Sequence, residues 1–192
     1  MTTLEQSIQS YFGVISQEDV RGISSFFKLS TLRKNDLFLK EGESCDKLSF
    51  VQSGYLRVFK DSGDKQVTQW ISSPGYFITD LSSLIFETPA RWTIQALTDI
   101  TLYTIDKEDY KNLGAVVPKW HELEKLFIAK CFASLEDRIH NHLSMDAQQR
   151  YNFFFENNKE LFNQVPLQYI ASMLGMTPET LSRLRSKETL IS

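Results

Sequence analysis

The sequence predicts an α+β chain in three parts: an N-terminal double-stranded β-helix (jelly-roll), a long helix, and a C-terminal helix-turn-helix. Three observations carry that prediction. From Thr31 to about Ile105, short alternating apolar runs are separated by turn residues; after Pro118 the apolar period lengthens to three or four; and Val165 to Leu184 carries the start and stop signals of two short helices. The corresponding divisions are 1–117, 118–145 and 146–192.

In the first part, Leu37-Phe38-Leu39, Lys47 to Val51, Gly54 to Phe59, Gln66 to Ile71, Trp92 to Leu97 and Thr101 to Ile105 read as strands. Turn residues such as Lys40-Glu41-Gly42-Glu43, Asp61-Ser62-Gly63-Asp64 and Ser72-Ser73-Pro74-Gly75 separate them. Each strand has one apolar face to bury, so many short strands imply two sheets packed together. The first thirty residues instead place Leu4, Ile8 and Phe12, then Val20, Ile23, Phe26 and Phe27, at helical spacing.

The middle part repeats Trp120, Leu123, Phe127, Cys131, Leu135, Ile139 and Leu143 every three or four positions, with charged residues between. A helix of about 25 residues spans roughly 37 Å, more than a small domain needs to cover its own core. The stripe is therefore expected to pair with a second copy of the chain, making a homodimer through 118–145. Tyr151, Phe153, Phe154, Phe155, Leu161 and Phe162 form a packing helix or helix pair before the last segment.

In the last part, Pro166 suits a helix start, Gly175 a left-handed stop, Thr177 an N-cap and Pro178 the first helical position. Ile170, Leu174, Leu181 and Leu184 supply a small core, and Ala171 allows close approach. The second helix then presents Thr177, Glu179, Thr180, Ser182, Arg183 and Lys187 outward. Arginine can bond guanine in bidentate fashion, a carboxylate can accept from cytosine, and hydroxyls serve bases or phosphates, so these six are the candidate DNA-binding residues.

Composition narrows the alternatives. No apolar run is long enough to span a bilayer and the first ten residues lack a signal-peptide pattern, so a cytoplasmic location and no membrane partner are expected. The net charge is −3, yet 147–192 carries +1, and Arg183, Arg185 and Lys187 cluster near the end. Cys45 and Cys131 are far apart, His121, His140 and His142 lack partners at ligand spacing, and no metal or cofactor is expected. The strand region holds no histidine, which excludes a cupin-type metalloenzyme and Ser/His/Asp catalysis there. No catalytic residue is assigned.

The order of roll, long helix and helix-turn-helix, with Ala171 to Arg183 and the Gly54-Tyr55-Leu56-Arg57-Val58 turn and strand, resembles the Crp/Fnr family of bacterial transcription regulators. The resemblance implies a cyclic-nucleotide-binding-like roll, a homodimer, and binding to two-fold symmetric double-stranded DNA. Glu179 and Arg183 match base-reading positions of the family; Pro178 replaces a second arginine, so base preference is expected to differ.

The same resemblance locates a candidate effector pocket at Ile78-Thr79-Asp80-Leu81 and Ala90-Arg91-Trp92. Thr79 and Asp80 stand where nucleotide-binding members have Gly-Glu, and Ala90-Arg91 where they have Arg-Ser. A one-residue slip along a strand sends a side chain to the other face, which argues against cyclic AMP. A different small-molecule effector, a ligand-independent regulator and a cyclic-nucleotide regulator with a diverged pocket stay open on the sequence. The sequence runs only a few residues past Lys187, so the family's β-hairpin wing is not expected and two copies must share the work of holding DNA.

Overall fold

The computed structural model describes residues 3–13 and 15–189, without the side chains of Thr3 and 187–189. Two helices, α1 (Thr3–Phe12) and α2 (Gln17–Ser24), lead into the roll. The strands are β1 (Lys28–Leu32), β2 (Leu37–Leu39), β3 (Lys47–Ser53), β4 (Leu56–Ser62), β5 (Lys65–Ser72), β6 (Phe77–Ile78), β7 (Thr93–Ala96) and β8 (Ile100–Asp106), with α3 (Leu81–Phe86) before β7. They make two four-stranded antiparallel sheets, ordered β1-β8-β3-β6 and β2-β7-β4-β5. Inward side chains such as Phe50, Leu56, Ile94 and Leu102, at most 1% exposed, fill the space between.

Every strand read from the sequence is present, with shifts at the ends. Gly54 and Tyr55 belong to the turn before β4, because Gly54 has φ +87°, outside strand geometry. Two strands were not read: β1 is half-exposed and β6 is only two residues long. Phe26 and Phe27 follow the end of α2 and pack on the roll core from a turn, not from helix.

After β8 come α4 (Lys107–Val116) and the 25-residue α5 (Trp120–Ser144). The stripe on α5 divides in two. Trp120, Leu123 and Phe127 are buried in the roll core, packed with Phe12, Phe77 and Tyr110. Beyond Cys131, which is half-buried and whose thiol burial pushes up, the apolar residues face outward. Leu135, Ile139 and Leu143 are exposed, and so are Ile128 and Phe132, which lie on the same side of the helix. The outward stripe is thus Ile128, Phe132, Leu135, Ile139 and Leu143, at steps of four, three, four and four residues, close to the spacing of a two-helix seam.

The C-terminal part comprises α6 (Ala147–Asn157), α7 (Leu161–Gln164), α8 (Leu167–Met173) and α9 (Pro178–Thr189). Asp146 starts α6 with a reciprocal capping box to Gln149. Ile170, Ala171, Leu181 and Tyr151 are fully buried in a second core, which also takes in Ile71 and Leu97 of the roll. The helical unit is therefore docked on the roll through shared apolar surface.

Candidate nucleic-acid interface and its docking on the roll

The α8–α9 turn is built by local chemistry. Gly175 has φ +66°; its N–H donates to the Ser172 carbonyl at 3.1 Å, and the Met176 N–H to Ala171 at 3.0 Å. This pair of bonds is the Schellman termination, which needs a left-handed residue at the stop. The Thr177 hydroxyl accepts from the Thr180 N–H at 3.2 Å, capping α9, and Pro178 follows as its first residue. Pro166 sits one position earlier than the sequence placed it, at the N-cap of α8.

Thr177, Glu179, Ser182 and Arg183 are exposed on one side of α9, and Thr180 is half-buried and bonded to Thr177. The Glu179 carboxylate bonds its own N–H and the Thr177 hydroxyl, which hold it below the usual carboxylate range. Lys187 lies in α9, but its side chain falls outside the described residues.

The residues that fix α8 on the roll were not predicted. Arg57, 2% exposed, points out of β4 toward the docked helices and is sandwiched between the rings of Phe59 at 4.2 Å and Tyr169 of α8 at 3.9 Å. Its Nε donates to Thr68 Oγ1 and a terminal nitrogen to Gln66 Oε1, both at 2.9 Å. Burial lowers its pKa. The sequence signal was the arginine inside the apolar run Leu56-Arg57-Val58-Phe59. Beside it, β5 is the edge of its sheet, and its Thr68 N–H donates to Ser172 Oγ at 2.9 Å instead of lacking a partner.

Two further arginines join the parts. The β4–β5 register skips Gln69, leaving a bulge whose carbonyl accepts from Arg138 of α5, while the Arg138 guanidinium lies over Trp70 at 4.3 Å. Arg150 of α6 donates to the Leu174 carbonyl at 2.9 Å and the Met145 carbonyl at 2.6 Å, tying the C-terminal ends of α8 and α5 together. A cavity of about 500 Å³ lies where β5, α5, α6 and α8 meet, with Arg138, His142 and Arg150 in its wall.

The candidate effector residues of the roll occupy a different place, and none of the seven lines that cavity. Asp80 is 4% exposed and both its oxygens are engaged: one caps α3 through the Ser83 N–H at 3.1 Å, the other accepts the Arg91 N–H at 2.7 Å. The Thr79 hydroxyl donates to the Lys47 carbonyl at 2.8 Å. Ala90 is buried and bonded through its backbone to Gly42 and Glu43, whereas Arg91 is exposed with its guanidinium 6.0 Å from the Trp92 ring. Ile78 is buried, and Leu81 and Trp92 are half-buried against the core.

Residues 29–115 match the family model for the cyclic nucleotide-binding domain. Among solved structures, FixK2 from Bradyrhizobium japonicum is similar with a TM-score of 0.70 at 20% identity, covering 84% of this chain and 83% of that one. The global regulator CLP of Xanthomonas campestris, described as responsive to c-di-GMP, gives 0.69 at 14% identity over 91% and 92%. The Thermus thermophilus catabolite activator protein gives 0.58 at 22% identity over 92% and 85%. The chain has the fold of these structures. The matched stretch covers the roll, and α5 to α9 follow it as a long helix and a helical unit with a tight turn between α8 and α9. At these identities the likeness is one of architecture. Sequence comparison with curated proteins returns no match. Among the described residues, no helix is long and apolar enough to cross a membrane.

Proposed function

We propose that this Crp/Fnr-fold chain is a sequence-specific DNA-binding transcription regulator that works as a homodimer. The observation that carries the reading is α9: a capped helix after a tight glycine turn, with Glu179, Ser182 and Arg183 exposed together on its outer side. These groups suit base edges and phosphates in a major groove. Arg183→Ala is expected to weaken specific binding by about 1–3 kcal/mol at fixed salt while leaving the oligomeric state unchanged. An unchanged specific affinity would remove the assignment.

The exposed α5 stripe supports the dimer, because apolar side chains in a regular seam are stabilised by burial against a matching copy. Two recognition helices would then address half-sites about one DNA turn apart, roughly 34 Å. Bivalence supplies affinity that one weakly charged helical unit lacks.

Cyclic nucleotides are not the effector in this reading. Asp80 is 4% exposed with each oxygen already accepting a backbone N–H, so it caps the α3 turn instead of facing a ribose, and the Arg91 side chain lies exposed at the surface. Millimolar cyclic AMP or cyclic GMP is therefore expected to leave the melting temperature unchanged; a saturable rise would contradict this.

A further inference from the structure

We propose that the cavity between β5, α5, α6 and α8 is a binding site for a small amphipathic anion, a carboxylate carried on an apolar body. Its volume of about 500 Å³ suits a small molecule. The wall is mostly apolar, with Trp70, Leu135, Phe154 and Met173 among its residues. Among the described residues its titratable groups are Arg138, His142 and Arg150, with no aspartate or glutamate in the lining. Both guanidiniums spend their described hydrogen bonds on backbone carbonyls, which leaves their charge uncompensated by any carboxylate in the wall. Burial, with Arg150 and Arg138 adding to it, pushes the His142 pKa down, as expected where positive charge is concentrated in partly desolvated space.

Charge also decides between occupants. The wall also includes Ile139 and Leu143, so with Leu135 it shares three residues with the proposed α5 seam; a second copy that filled this space, beyond pairing along the stripe, would bring its own Arg138 and His142 toward these, like charge against like. A carboxylate would instead take charge-assisted bonds from guanidinium groups while its chain covered the apolar wall. Such a ligand would touch the β5 edge, α5 and the end of α8 at once, so it would favour the docked arrangement of the helix-turn-helix over any other. The proposal does not rest on DNA binding, and its test uses none.

The test is calorimetric titration of the full chain with decanoate below its micelle concentration, with decanol and decyltrimethylammonium as matched controls, followed in parallel by tryptophan fluorescence, with Trp70→Phe to identify the contribution of Trp70. Decanoate is expected to bind saturably, one per chain, at least about tenfold more tightly than decanol, and the cation not at all. Phe153→Glu, at a half-exposed wall position where folding tolerates charge, is expected to weaken decanoate about tenfold or more and leave decanol nearly unchanged. Arg138→Met should do the same. No decanoate binding, equal binding of decanoate and decanol, or decanoate binding that vanishes as protein concentration drives association would overturn the proposal, the last by making a second copy the occupant.

Discussion

Alanine at position 54 is expected to destabilise the protein by about 3–5 kcal/mol, or to prevent folding of the roll. Gly54 has φ +87°, and a Cβ there would lie 2.4 Å from the Asp99 carbonyl, 2.6 Å from Ile100 Cδ1 and 2.8 Å from Thr98 Oγ1. The neighbours cannot easily give way. The Leu97 N–H bonds the Tyr55 carbonyl at 2.8 Å, the Thr98 hydroxyl accepts from the Tyr55 N–H at 3.1 Å, and the Asp99 carboxylate accepts from the Lys34 N–H at 2.9 Å. Gly42 is the control: it has nearly the same φ, +88°, and nothing within 4 Å of an added Cβ. Gly42→Ala should cost only the left-handed penalty, about 1–2 kcal/mol. Denaturant unfolding of the two variants separates the steric part from the conformational one. Equal losses would mean that the 97–99 turn yields.

Phe132→Glu is expected to convert the dimer to monomer and to lower specific DNA affinity about a hundredfold or more, because two sites would no longer bind as one. In the single chain Phe132 is 59% exposed, so the charge costs the monomer little. In a symmetric seam two carboxylates would face apolar surface and each other, which is unfavourable unless both are neutralised. Sedimentation velocity at micromolar concentration should show the monomer with an unchanged circular dichroism spectrum. A variant that stays dimeric would move the interface away from Ile128, Phe132 and Leu135.

Local chemistry was legible in the sequence. Gly175, Thr177 and Pro178 each announced the backbone state they occupy, and the alternating runs of the roll announced which strands share a core. Long-range packing was not. The spacing of α5 marked one continuous stripe, but the roll takes Trp120, Leu123 and Phe127, and the exposed remainder includes Ile128 and Phe132, which the period alone did not select. Arg57, Thr68, Tyr169 and Ser172 meet across about a hundred residues of chain, so nothing in their local sequence tells of the docking they perform. The candidate pocket residues illustrate the same limit: Asp80 reads as a ligand group by position, yet its oxygens serve the α3 cap and the Arg91 N–H.

The central claim is sequence-specific binding by a symmetric pair of α9 helices. Selection of bound sequences from a random double-stranded DNA pool, with the wild-type chain at fixed salt, tests it most directly. The predicted result is a two-fold symmetric site with half-sites about one turn apart, lost from the pool selected by Phe132→Glu and altered within each half-site by Arg183→Ala. Recovery of no preferred sequence, or of an asymmetric site indifferent to both substitutions, would contradict the account.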